Sequence, residues 1–294
     1  MNQVATQPVA EVIDMAHLKQ WIGKTEQRSE VLAPFPANGL AGTLDRMDAP
    51  YAAGSELPPM WHLVYGLGTP PMSGLGADGH AKRGGFLPPV PLPRRMWAGG
   101  RLRFLKSLII GKEMTRTGEV LNVEVKNGRT GSMVFVTVRF TLADAEGVAL
   151  TEERDIVYRE MPSPRAPAVA AKIAPTDQAW SRTIHPDPVL LFRYSALTYN
   201  GHRIHFDRDF CKEHEGYPGL VVHGPMLATM LVDLVRRQIP NAVIKSFDFR
   251  AVSPVFDTAS FDICGKPSPD GGSVHLWVRK EDGGLAMEGT ATIA

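Results

Sequence analysis

The 294 residues, 44% hydrophobic and 21% charged, suffice to bury one large core or two ordinary ones, as in an ordinary soluble globular protein. Lys+Arg of 32 against Asp+Glu of 31 leaves a formal net charge of +1, which excludes a broad electrostatic drive toward nucleic acid or an anionic membrane. Any anionic ligand must therefore be met by local basic residues.

The N-terminal stretch MNQVATQPVAEVIDMAHLKQW lacks a basic start followed by an apolar run, and nowhere do ~18 uninterrupted apolar residues occur. With only Cys211 and Cys264, far apart and outside any CxxC pair, neither a disulfide framework nor a zinc finger is indicated, and a reducing, cytoplasmic setting is the simplest expectation. MAHLKQWIGKTE and the stretch around MWHLVYGLG are weak helix candidates in the first half. Glycine and proline concentrate between Pro50 and Pro93, so that region is expected to be mostly irregular. Within it GLGADG matches GxGxxG, but a nucleotide fingerprint must follow a strand and open a helix, and this one lies between prolines. It is read as loop.

Beyond the prolines, GGRLRFLKSLIIGKEMTRTGEVLNVEVKNGRTGSMVFVTVRFTLADAEGVALTEERDIVY alternates β-branched and polar residues between glycine-containing turns, the mark of antiparallel strands. MPSPRAPAVAAKIAP, residues 161–175, suits an interdomain linker. In the second half GPMLATMLVDLVRRQI, residues 224–239, places Met226, Met230, Leu231, Leu234 and Val235 at helical spacing, and Pro240 bars continuation. The strand grammar then returns: GGRLRFLKSLIIGKEM lines up with IKSFDFRAVSPVFDTA, and SMVFVTVRFTLADAEGVALTEERDIV with SVHLWVRKEDGGLAMEGTATI. A repeat this long points to two copies of one domain. The expected division is residues 1–160, the linker, and residues 176–294.

The densest cluster of functional groups is YNGHRIHFD, residues 199–207, followed by EGYPGLVVHGP. The stretch resembles the hydratase motif of MaoC-like hotdog-fold enzymes, and that resemblance implies water addition to an α,β-unsaturated thioester, which needs a base for the water, a donor for the carbonyl oxygen as enolate character develops, and a proton for the α-carbon. A neutral imidazole at His205 can take the water proton and return one. Asn200 would orient that water. The Gly224 N–H, unsatisfied at a helix N-terminus, would serve as oxyanion donor. The HxxH pair His202 and His205 has no acidic or thiolate group at a metal-typical spacing, so no metal is expected.

YSALTYNGHRIHFDRDFCKEHEGYPGLVVHGPMLATML resembles the hydratase motif of MaoC-like hotdog-fold enzymes, the (R)-specific enoyl-thioester hydratases and their dehydratase relatives. In that family an Asp and a His five residues later share the reacting water, and a His-Gly pair opens the central helix. Asn200 falls at the Asp position, His205 at the His position, and His223-Gly224 at the helix start; the asparagine marks a subtype. With RRMWAGGRLRF and IGKEMTRT in the first half, the chain resembles double-hotdog members, namely mesaconyl-C4-CoA and itaconyl-CoA hydratases and 3-hydroxyacyl-thioester dehydratases of mitochondrial type. The resemblance implies an α+β double hotdog, two curved antiparallel sheets each wrapped around a central helix and joined edge to edge as a pseudo-dimer. It implies a hydro-lyase acting on a short branched dicarboxylic enoyl-CoA, with CoA as part of the substrate and no separate cofactor, in a homodimer or a monomeric pseudo-dimer. The C-terminal copy would carry the chemistry and the N-terminal copy would shape the acyl tunnel, with Trp61, His62 and Trp97 as lining candidates. Tyr199, His202 and His223 are placed on the substrate side. Arg193 and Arg203 are candidates for a distal carboxylate, and Arg250, Lys245, Arg94-Arg95 and Arg236-Arg237 for CoA phosphates. Three other readings stand beside it: a dehydratase of fatty-acid metabolism, a non-catalytic acyl-CoA-binding module, and a thioesterase drawing on Asp207, Asp209, Glu213 or Glu215.

Overall fold

The computed structural model describes residues 13–128, 131–161 and 171–294. Strong strand formers dominate both halves and pair into one ten-stranded antiparallel sheet of order β1-β3-β4-β5-β2-β7-β10-β9-β8-β6. The first half supplies β1 (Thr25–Val31), β2 (Arg94–Phe104), β3 (Glu113–Gly128), β4 (Gly131–Asp144) and β5 (Gly147–Arg159). The second supplies β6 (Trp180–Ile184), β7 (Ile244–Ala251), β8 (Phe261–Pro267), β9 (Ser273–Lys280) and β10 (Leu285–Ile293). The order is the same in each half when read outward from the centre, so the repeat seen in the sequence is a structural repeat, and β2 and β7 are its matching members. They pair with each other, Gly99 against Arg250 through Arg103 against Ser246. Strands can approach this closely only because two glycines sit there: a Cβ on Gly99 would lie 2.6 Å from the Phe249 carbonyl oxygen, and one on Gly100 would lie 2.8 Å from the Phe249 ring. The junction removes two strand edges and leaves β1 and β6 as the outer ones. Residues 162–170, most of the expected linker, lie outside the described residues.

Helix α4 (Gly224–Gln238) matches the expected span to one residue, and all of Met226 to Val235 is buried. Its neighbours are β6 to β10, whose inward side chains Phe247, Phe249, Phe261, Ile263, Leu276, Val278 and Ala291 are apolar and buried. Each large side chain so enclosed contributes roughly 1.5–3 kcal/mol. Asp233 near its end is 2% exposed and gathers Arg46 (2.6 Å), Arg237 (2.7 Å) and Arg236 (3.6 Å), which ties the N-terminal half to α4. Arg236 and Arg237, candidates for the CoA phosphates, are instead structural.

The N-terminal helix was not among the sequence candidates. MAHLKQWIGKTE yields only the four-residue α1 (Met15–Leu18) and a 3-10 turn, and Trp61–Val64 is another 3-10 turn. The helix is α2 (Pro34–Thr43), PFPANGLAGT, whose glycines disguise it. They are there for packing: a Cβ on Gly39 would meet Leu197 at 2.7 Å and one on Gly42 would meet Arg193 at 3.1 Å, both on α3 (Pro188–Leu197). Among the described residues no helix is long and apolar enough to cross a membrane.

Candidate active site

The loop that carries Asn200, His202 and His205 begins where α3 ends. Asp187 caps the helix by accepting from the Leu190 N–H at 2.7 Å, and Pro188 occupies the first turn. At the other end Tyr199 adopts a left-handed φ of 49°, with its N–H on the Ala196 carbonyl and the Asn200 N–H on the Ser195 carbonyl. This is the Schellman ending in which glycine is usual. It sets the backbone of Asn200 relative to α3, while the Tyr199 side chain stands 62% exposed. The Asn200 Oδ1 accepts from the His202 N–H at 3.0 Å. That bond orients the amide, and Nδ2, which has no partner among the described residues, is the donor Asn200 can offer a water.

His205 lies in a 3-10 turn and is 7% exposed. Its Nδ1 is 2.7 Å from the Val221 carbonyl oxygen. A carbonyl can only accept, so the proton is on Nδ1 and Nε2 keeps its lone pair. Nε2 has no partner among the described residues. Burial pushes His205 down to about 4, opposed by the Val221 bond and aided by the charge of His80, so the ring is neutral and a base at neutral pH.

Behind His205 stacks His223, ring centroids 3.6 Å apart and planes at 17°. His223 was expected on the substrate side, but it is fully buried, its Nε2 2.8 Å from the Ser195 Oγ and its ring against Tyr194. It supports His205 from behind. His223 makes no side-chain cap on α4, which leaves the first N–H groups of the helix, Gly224 included, at its positive end without a side-chain acceptor. Trp97 of β2 covers this point: its ring is 3.9 Å from where a Gly224 Cβ would lie. The N-terminal half thus reaches the helix start. Of the other proposed lining residues, Trp61 is fully buried and His62 pairs with Glu152.

The sequence reading missed a second intrusion. GLGADG is loop as expected, but it clamps the catalytic loop: the Arg203 N–H donates to the Asp78 carbonyl at 2.9 Å, and the Arg203 guanidinium to that of Ala77 at 3.2 Å. His80 follows, its Nδ1 3.0 Å from Asp78 Oδ2 and its ring 3.9 Å from the ring of His202. Burial lowers the pKa of His80, His202 and His223 alike. The view that nothing could complete a ligand set with His202 needs correction, since Asp78, His80 and His202 offer ligand atoms within 4.8 Å of one another. Here, however, the Asp78 carboxylate is spent on His80, and the three read as one hydrogen-bonded and stacked wall of the site. The Asp-Gly-His run, the same residue types as in the catalytic loop, was the available signal.

Several expected ligands are not at the site. Arg193 is exposed on α3 beside α2. Arg250 is 65% exposed and paired with Glu288. Phe247 and Phe249 of the same strand face inward, so Arg250 points to the opposite face. Arg203 is held by Asp207 at 2.7 Å, and Arg94 by Glu215 at 2.9 Å. Those pairs also occupy two of the four acids considered for hydrolysis, and Asp209 and Glu213 are exposed. No ion-pair partner is found for Lys245 among the described residues, and it borders a cleft of about 190 Å³ at β7, formed with residues of the N-terminal half.

A neutral, tautomerically fixed histidine, stacked on the residue that precedes a helix start without a side-chain cap, is suited to acid-base chemistry. Comparison with known proteins gives the class. Residues 60–257 match the family model described as hydroxyacyl-thioester dehydratase type 2, and the chain belongs to that family. It is 43% identical over 273 residues to the mesaconyl-C(4)-CoA hydratase of Chloroflexus aurantiacus, covering 93% of this chain and 96% of that one. It is 27% identical to the mitochondrial hydroxyacyl-thioester dehydratase type 2 of Schizosaccharomyces pombe over 235 residues, 71% of this chain and 78% of that one. Among solved structures, a MaoC-like dehydratase from Phytophthora capsici superposes with a TM-score of 0.65 at 12% identity, covering 96% and 99% of the two chains. A Mycobacterium tuberculosis protein described as a double hotdog gives 0.57 at 14%, covering 93% and 96%. The double-hotdog fold and the hydro-lyase class expected from the sequence stand.

The pKa of His205 carries a prediction. A base with a pKa near 4 holds its proton only below that value, so kcat/KM should stay flat through neutral pH and fall as pH drops toward about 4. Asn200→Asp adds a carboxylate to the loop, which favours imidazolium and should move the acid limb upward. Identical pH profiles for the two proteins would mean that residue 200 and His205 do not share a water.

Proposed function

We propose that the protein reversibly hydrates a short branched dicarboxylic enoyl-CoA of the mesaconyl-C4-CoA or itaconyl-CoA type, giving citramalyl-CoA. The observation that carries the reaction is His205 with Nδ1–H tied to Val221 and Nε2 free. The thioester oxygen would accept from the Gly224 N–H, which becomes a stronger partner as negative charge builds on that oxygen; such donors are worth about 3 kcal/mol of barrier. Asn200 Nδ2 would donate to the water oxygen while His205 Nε2 takes one water proton. With the α,β-unsaturated mesaconyl ester, hydroxide adds to the β-carbon and the imidazolium so formed delivers its proton to the α-carbon, closing the cycle; with itaconyl-CoA, whose double bond joins the β-carbon to its methylene, the proton goes to that methylene. A histidine of low pKa makes that imidazolium a strong acid, which suits the second transfer.

Similarity to the Chloroflexus hydratase supports the dicarboxylic substrate. Dehydration of a 3-hydroxyacyl thioester is the same path reversed; a long-chain version would need an apolar tunnel, whereas Arg116, Glu152 and Arg154 occupy the N-terminal interior. The purified protein, given crotonyl-CoA, mesaconyl-C4-CoA and itaconyl-CoA, should form hydrated CoA esters, fastest from a dicarboxylic one. Release of free CoA would instead establish a thioesterase, and turnover of none of them a binding module.

A further inference from the structure

Strand alternation puts unexpected residues inside the N-terminal sheet. The C-terminal sheet is apolar inside because it wraps α4, a buried helix of 15 residues. Among the described residues the N-terminal half holds no helix of that length: α2 has 10 residues, follows β1 as α3 follows β6, and packs on α3. In the N-terminal sheet Glu152 is fully buried, and Tyr158 on the same face of β5 is buried as well. Arg154 lies on that face too, its Nε and Nη2 both 2.7 Å from Glu152. Arg116 on β3 lays its guanidinium 3.7 Å from the centre of the Phe140 ring and donates to the Gly66 carbonyl. Arg154 is thus ion-paired, and Arg116, without a carboxylate within 4.0 Å among the described residues, is held by a ring face and a backbone carbonyl.

Arg95 differs. It pairs across the sheet with Tyr158, so it shares the inner face, and it is half-buried. Two residues on, Trp97 occupies the same face and covers Gly224. Arg95 therefore stands one inward position from the residue that roofs the proposed oxyanion donor. It is also near enough to His80 and His202 for its charge to count among the influences on both. Among the described residues no carboxylate comes within 4.0 Å of it; nearby Asp78 is bound to His80 through both carboxylate oxygens. A half-buried guanidinium without a counter-charge calls for one, and its planar fork fits a carboxylate or a phosphate. The position selects between them. Next to the reacting carbonyl lies the acyl group, while the phosphates of CoA are at the far end of the pantetheine arm. One strand repeat from the carbonyl site is a separation that a four-carbon diacid spans.

We propose that Arg95 is a specificity-determining residue that receives the free carboxylate of the acyl group, with Trp97 packing against the carbon chain between that carboxylate and the thioester. This rests on the hydratase reading for the substrate's thioester but adds what selects the acyl part. Arg193 and Arg203, the cations suggested by sequence for a distal carboxylate, are exposed or tied to Asp207, and Arg95 had been a candidate for the CoA phosphates.

The test separates binding from turnover. Binding of succinyl-CoA and butyryl-CoA, saturated esters that differ by the carboxylate, would be measured by calorimetry for the wild type, Arg95→Met and Arg95→Lys, with thermal unfolding as a check on each. Wild type should favour succinyl-CoA, and Arg95→Met should reduce that ratio by about 30- to 100-fold, the worth of a buried charge-assisted pair. Arg95→Lys keeps the charge and loses the fork, so a drop of about tenfold is expected; it decides the matter if the Met variant does not fold. A wild type without preference for succinyl-CoA, or a ratio that survives both substitutions, overturns the proposal. If the ratio collapses as expected but the wild type hydrates no enoyl-CoA, the carboxylate site stands and the hydratase reading falls.

Discussion

His205→Ala is expected to lower kcat/KM for hydration by about 1000-fold or more while the protein stays folded. General acid-base catalysis by one side chain contributes 100- to 10,000-fold. Here the same nitrogen, Nε2, both takes the water proton and returns one to carbon, so loss of the ring removes both steps. At 1.36 kcal/mol per tenfold, the effect is about 4 kcal/mol of barrier. The structural cost is smaller. The lost contacts are the stack on His223 at 3.6 Å and the bond to Val221 at 2.7 Å, in a chain whose cores lie elsewhere. Steady-state kinetics beside a thermal melt separate the two, and residual activity above a few per cent would remove His205 from its role.

The largest stability effect should come from a residue that touches no substrate. Gly79→Ala places a Cβ 1.9 Å from the Gly201 carbonyl oxygen, at a φ of +85° where side chains are strained. Left-handed strain costs roughly 1–2 kcal/mol and relief of a backbone clash another 1–3 kcal/mol, together about 3 kcal/mol. In a chain of this size that lowers Tm by roughly 5–10 °C. Because the clash pushes the Asp78–His80 loop off the catalytic loop, kcat should fall with it, by about tenfold or more. A Gly79→Ala enzyme with native Tm and native kcat would show that the two loops are independent. Gly224→Ala is the instructive contrast, since its Cβ would sit 3.9 Å from Trp97, an ordinary contact.

The clamp at Gly79 explains why half the site was hidden. YNGHRIHFD and HGP are local in the chain, and their roles follow from the chemistry of imidazole and of an uncapped helix. Asp78 and His80 are more than a hundred residues away in a glycine-rich stretch with no period of its own, so only the fold could bring them to His202. Helix α2 was hidden for another reason: Gly39 and Gly42 weaken helix propensity yet are required by the approach of α3. Cations were the hardest to assign, because an arginine's role depends on whether a carboxylate is within reach. Arg193, Arg203 and Arg250 were plausible by proximity in sequence and are exposed or already paired.

Alternation of β-branched and polar residues determined the strands, and the duplicated pattern determined that the strand set occurs twice. The apolar spacing of residues 224–239 determined the buried helix, and these are properties of neighbours along the chain, where period and spacing suffice. The reaction class came instead from the resemblance of the Asn200–His205 loop and the His223-Gly224 pair to a known hydratase motif. The tertiary structure alone decided which strands, β2 and β7, join the two halves, that His223 backs His205, that Asp78 and His80 pack against His202, and that no carboxylate among the described residues comes within 4.0 Å of Arg95. Each of these depends on which distant groups share a low-dielectric space, since burial and pairing, rather than residue type, set whether a histidine is a base and whether an arginine is free to bind.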